Sequence, residues 1–137
     1  MKFRPVDAHG LPARFQVEIK VGSHTVLADE PADVGGGDTG ASPHDFLLVA
    51  LGACTSVTCR MYAERKGWPL TGIRVHLEQD AAGNDHSIRR VVDFEGPLDE
   101  EQRTRLLEIA NKCPVHKTLT HPIHIATELA PSATPVV

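Results

Sequence analysis

Hydrophobic side chains occupy every second position at Phe15, Val17, Ile19 and Val21, with Gln16, Glu18 and Lys20 between them. That period of two predicts a strand with one buried face. Gly22-Ser23 reads as a hairpin turn, followed by a shorter strand over residues 25–27. The pattern then changes. Ser42-Pro43-His44-Asp45 has a capping residue, a proline suited to the first helical position and an acidic capping-box partner. Leu47, Leu48, Leu51, Val57 and Met61 continue it, and Gly67-Trp68-Pro69 stops it. A helix of that length measures about 35 Å at ~1.5 Å per residue. Its first half is apolar nearly all round, which predicts a buried central helix.

Two further strand patterns, over residues 73–78 and 88–94, flank a turn at Ala82-Gly83-Asn84-Asp85. A second helix is predicted to start near Asp99, with Gln102 as capping-box partner and an apolar stripe of Leu106, Leu107, Ile109 and Ala110. Cys113-Pro114 interrupts it, a short turn over 115–119 follows, and 123–129 reads as a last strand. The proline-bearing tail, 130–137, is expected to fray. Segregated strand pairs with two helices predict an α+β fold with antiparallel strands in one domain spanning 1–137.

The remaining connector, residues 30–40, holds Gly35-Gly36-Gly37 and Gly40. No Gly-Lys-Ser/Thr follows it, so it reads as a flexible loop and not as a phosphate cradle. Aromatics are only 4% of the chain, which leaves the core to Leu, Val, Ile and Ala. A net charge of −4 without a basic run disfavours nucleic acid. Residues 1–10 have no apolar signal region, and no apolar stretch is read as reaching the ~18 to 20 residues of a membrane span. The cytoplasm is the expected compartment.

Cys54, Cys59 and Cys113 make no paired disulfide framework. In a reducing compartment such thiols are catalytic, metal-binding or redox-active, or else small core hydrophobes. Cys54 lies among the small residues Gly52, Ala53, Thr55 and Ser56, which suggests close approach by another backbone or a ligand. Thr58 is one turn further on the same face, whereas Cys59 is rotated by about 140°. Cys113-Pro114-Val115-His116-Lys117 puts a thiol at the start of a helical turn with two basic neighbours, a setting that favours a thiolate. Cys113, His116, His121 and His124 lack the paired spacing of a structural zinc site. No G-x-S-x-G elbow occurs.

Three stretches together carry a resemblance. They are Gly36-Gly37-Asp38-Thr39-Gly40-Ala41-Ser42-Pro43 leading into Leu47-Leu48-Val49-Ala50-Leu51-Gly52-Ala53-Cys54-Thr55, then Met61-Tyr62-Ala63-Glu64-Arg65-Lys66-Gly67-Trp68-Pro69-Leu70, then Leu106-Leu107-Glu108-Ile109-Ala110-Asn111-Lys112-Cys113-Pro114-Val115-His116-Lys117-Thr118-Leu119. The combination resembles the OsmC/Ohr family of osmotically induced and organic-hydroperoxide-resistance proteins, in particular its OsmC-like redox branch. The resemblance implies an intertwined homodimer with the long helices buried inside it. It implies that Cys54 attacks an organic hydroperoxide, that Cys113 resolves the sulfenic acid as a disulfide, and that a thiol or lipoyl group reduces it. No cofactor and no metal are expected. The hydroperoxide-resistance enzymes carry a glutamate where this chain has His44, followed by Asp45, and an arginine in a loop that here is Val21-Gly22-Ser23-His24. His44, Asp45, His116 and Arg14, read as part of the first strand, are the candidate substitutes. A non-catalytic dimer binding an apolar small molecule, or a scaffold with inert thiols, stays open beside the redox reading.

Overall fold

A computed structural model describes residues 1–131. Its order is β1 Asp7–Gly10, β2 Val17–Val21, β3 His24–Ala28, α1 Pro43–Lys66, β4 Gly72–Ala82, β5 Asp85–Glu95, α2 Glu100–Ala110 and α3 Pro114–Leu119. The fold is α+β, and all strand pairs are antiparallel: β1–β2–β3 form one sheet and β4–β5 a long hairpin.

Local chemistry sets the helix ends. Ser42 Oγ accepts the Asp45 N–H at 3.2 Å, and Asp45 Oδ2 accepts the Ser42 N–H at 2.8 Å. Asp99 and Gln102 make the same reciprocal pair at 2.8 and 3.0 Å. Each box satisfies amides that a helix start leaves without partners. Gly67, at φ 70°, closes α1 in the left-handed conformation that glycine adopts without steric cost.

The core lies where α1, α2 and the β4–β5 hairpin meet. Cys59, Ala63, Leu70, Phe94, Leu106 and Ile109 form its centre, and Leu106 is wholly enclosed. Enclosing one such leucine contributes about 1.5–3 kcal/mol. Ile73, Val75 and Leu77 of β4 pair with Phe94, Val92 and Arg90 of β5. Strand side chains alternate between faces, so these six share one side of the hairpin, and Arg90 falls in an otherwise apolar row. The other side carries charge, including Glu78 bonded to Arg89 at 3.0 Å.

Four expectations need correction. Helix α1 is buried only along the stripe Leu51, Thr55, Cys59 and Ala63, while Val49, Val57 and Met61 are more than half exposed. One hairpin and two short helices cannot cover a helix this apolar on every side. Helix α1 also contains an 18-residue window of mean hydropathy 1.5, long and apolar enough by length and composition to cross a membrane. Small and hydroxyl residues, Gly52, Thr55, Ser56 and Thr58, interrupt its aliphatic run without lowering the window's mean below that of a span. Its packing on β4, α2 and α3 gives the apolar stripe a different partner. Residues 123–129 form no strand: Ile123, Ile125 and Leu129 are exposed, and among the described residues no strand pairs with this segment. A strand pattern without a pairing partner leaves its backbone to water. The predicted fraying of the tail falls mostly on 132–137, outside the described residues.

The glycine-rich connector is also tied down, not free. Buried Asp29 accepts from the Glu30, Gly37 and Thr39 amides and from the Thr39 hydroxyl, the last at 2.6 Å. The Thr39 hydroxyl bond, followed by the backbone N–H of Glu30, holds its carboxyl below the usual range. A Cβ on Gly36 would collide with the Glu30 carbonyl and one on Gly40 with that of Leu27. These glycines serve close backbone approach, and the loop delivers the chain to the cap of α1.

Candidate thiol site

Cys54 is half-buried on α1, and its Sγ accepts the Val115 N–H at 3.5 Å. It also lies 3.9 Å from the Thr58 hydroxyl, one turn on. Cys113 is the N-cap of α3, fully enclosed, and its Sγ accepts the His116 N–H at 3.3 Å. Successive amides of one turn thus meet the two sulfurs, Val115 toward Cys54 and His116 toward Cys113. Pro114, at the first position of α3, fits there because that position needs no amide hydrogen.

Cys59 belongs to the core. Its Sγ donates to the Leu106 carbonyl at 3.5 Å, and burial pushes its thiol up to about 11, with the Arg90 charge opposing and Cys113 adding to the rise. It is a protonated packing thiol at neutral pH.

Beside the sulfurs is a residue that sequence reasoning missed. Arg90 of β5 donates through Nη1 to Thr55 Oγ1 at 3.0 Å and through Nη2 to Asn111 Oδ1 at 2.8 Å. Nη2 also lies 3.0 Å from His116 Nδ1. Thr55 is enclosed and passes its own hydroxyl hydrogen to the Leu51 carbonyl at 2.7 Å. Arg90 therefore joins the helix turn carrying Cys54, the end of α2 and the turn capped by Cys113. The signal was present: residues 88, 90, 92 and 94 share one strand face, and only Arg90 among them is charged.

A cavity of about 590 Å³ opens next to this network. Leu47, Leu51, Ile88 and Leu119 give it apolar walls, and Arg90, His116, Asn111, His44, His86 and Gln79 supply polar groups. Burial, then the Arg90 charge, lowers the His116 pKa from its ordinary value. His44 lies over His86 with ring centres 6.2 Å apart and planes 8° from parallel.

The other two candidates have different neighbours. Asp45 is engaged in the α1 capping box. Arg14 is not in a strand: it sits between β1 and β2 at φ 47°, donates to the Gly35 carbonyl at 2.8 Å and covers the Phe15 ring. It braces the connector. His121 Nδ1 lies 2.6 Å from the Lys117 carbonyl, and among the described residues no three His, Cys, Asp or Glu side chains gather as a metal cluster.

Fold and site together define a small α+β protein with two cysteines brought to one turn beside a cavity. Residues 35–128 match the family model described as OsmC-like protein, so the chain belongs to the OsmC-like family. No curated relative matches it. It is similar in fold to an OsmC-like protein from Mycoplasma pneumoniae, with a TM-score of 0.73, 18% identity and coverage of 86% of this chain and 87% of that one. An organic hydroperoxide resistance protein OsmC from Legionella pneumophila gives a TM-score of 0.67 at 17% identity, covering 88% and 90%. The organic hydroperoxide resistance protein OhrB of Bacillus subtilis gives 0.58 at 22%, covering 87% and 91%.

Proposed function

We propose that this chain is a thiol-dependent redox protein that reduces organic hydroperoxides, with Cys54 as nucleophile and Cys113 as resolving thiol. The observation that carries the reading is the pair of successive amides, Val115 and His116, meeting the two sulfurs at 3.5 and 3.3 Å. Membership of a family that includes hydroperoxide-resistance proteins supports it.

The Cys54 thiolate attacks one peroxide oxygen. An S–O bond forms, the O–O bond breaks, and the alkoxide takes a proton from water and leaves as an alcohol. The Cys54 sulfenic acid then condenses with the Cys113 thiol, forming the S–S bond and releasing water. A small dithiol or a lipoyl group returns two electrons and two protons by exchange through a mixed disulfide. The exposures suit these roles: half-buried Cys54 meets the substrate, and enclosed Cys113 meets only a sulfur already inside the protein. The working unit on this reading is a cytoplasmic homodimer of OsmC-like domains, its second copy covering the apolar face of α1 that this chain leaves bare. The test is dithiol-driven consumption of an alkyl hydroperoxide. Cys54→Ser and Cys113→Ser each abolish it, and full turnover by either variant refutes the mechanism.

The cavity favours a second reading, a binding protein for an apolar small molecule. That reading predicts a ligand detected by native mass spectrometry of the purified protein, lost on delipidation, together with thiols indifferent to peroxide.

A further inference from the structure

Arg90 has no carboxylate partner among the described residues, although it is half-buried. Its partners are Thr55 Oγ1, Asn111 Oδ1 and His116 Nδ1. A guanidinium keeps its charge throughout the ordinary pH range and offers donors only. The nitrogen it meets on His116 must therefore accept. An accepting Nδ1 carries no hydrogen, so the ring is neutral and its single proton is on Nε2.

We propose that Arg90 is the positioning residue of the thiol site: it locks His116 as a neutral Nε2–H donor at the cavity wall and ties that ring, through Thr55, to the turn of α1 that carries Cys54. Two features make the lock specific. The three acceptors come from three elements, α1 at Thr55, the end of α2 at Asn111 and α3 at His116, so losing Arg90 frees all three from one another. The Arg90 charge, which meets the ring from β5, also opposes a second proton on it, and no carboxylate lines the cavity. His44 of α1 and His86 of β5 share that cavity, Lys117 follows in α3, Cys113 Sγ accepts the His116 amide, and Cys54 Sγ meets the neighbouring Val115 amide, so that a thiolate there pulls the other way. Protonation would set an Nδ1–H against an Arg90 N–H and separate them. The direction of the His116 pKa shift agrees.

For its use in chemistry the inference rests on the thiol-redox reading. A fixed Nε2–H can hydrogen-bond the departing alkoxide as the O–O bond breaks, while water supplies the proton that is finally transferred. Below the His116 pKa the ring releases Arg90 and the lock is lost.

The test uses the full chain with ¹⁵N-histidine, reading the His116 ring by long-range ¹H–¹⁵N correlation between pH 5 and 8. The expected result is an unprotonated Nδ1 and a protonated Nε2 above neutrality. In Arg90→Met the ring is expected to become a tautomer mixture that titrates nearer the ordinary histidine value of ~6.5. Arg90→Lys, still a cationic donor, is expected to restore the Nε2–H form in part. Hydroperoxide turnover is expected to fall about tenfold in Arg90→Met, with its acidic limb moved to higher pH. A wild-type ring carrying its proton on Nδ1 overturns the proposal whether or not the variants fold, as does an Arg90→Met ring that titrates unchanged. A wild-type protein with the expected tautomer but no turnover upholds the lock and refutes the thiol-redox reading instead.

Discussion

Cys54 and Cys59 stand five residues apart on α1 and have opposite surroundings. The first is half-buried, against the Val115 amide and one residue from the Arg90 network. The second is wholly enclosed, bonded to Leu106 at the centre of the core. Five residues turn a helix by about 140°, enough to exchange a partly exposed face against α3 for packed side chains. Rotational phase on the helix, and not the presence of a thiol, sets what surrounds each cysteine.

The largest effect that would sharpen this contrast is on turnover. Cys54→Ser is expected to lower dithiol-driven hydroperoxide consumption by at least about a hundredfold, since nothing replaces the nucleophile. Cys59→Ala should retain most of it, and equal losses in the two variants would erase the distinction. Next is stability. Leu106→Ala opens the core against Cys59 and should cost about 2–5 kcal/mol in chemical denaturation. Cys54 in the same folded variant should keep its alkylation rate. Third, timed iodoacetamide labelling at pH 7.5, read by peptide mass, should modify Cys54 well before Cys59. Cys59 should become reactive only near its raised value of about 11 or on unfolding.

The smallest expected effect lies far from either cysteine. Asp29 has a depressed folded-state pKa, so its contribution to stability is present above the unfolded value of ~3.9 and is lost as pH falls through the folded value. Asp29→Asn should lower the melting temperature by a few degrees at pH 7 and flatten the acid limb of the stability profile below pH 4. An unchanged acid limb would show that the connector does not depend on that carboxylate.

What was legible in the sequence follows the range of the forces involved. Both capping boxes and the Gly67 stop are visible because the groups that satisfy each other lie three or four residues apart. The β4–β5 turn is equally local, although its strands reach further than the alternation shows: each runs eleven residues, joined by Gly83-Asn84. The meeting of Cys54 with the turn after Cys113 spans 61 residues, and only the resemblance to a family anticipated it. Arg90 is harder to see, because strand parity marks a face by its hydrophobic members and does not say what a charge among them will meet. Residues 123–129 carry a strand's composition, but a strand needs an edge to pair with, and composition does not supply one. Arg14 was placed by its nearness to β2, while a left-handed backbone at that residue turns it toward Gly35.

The central claim is that Cys54 and Cys113 work as a pair. Treating the reduced protein with one equivalent of an alkyl hydroperoxide and mapping its cysteines by peptide mass tests that claim most directly. The account predicts a disulfide between Cys54 and Cys113 with Cys59 still a free thiol. Three unmodified thiols, or a bridge that runs through Cys59, would contradict it.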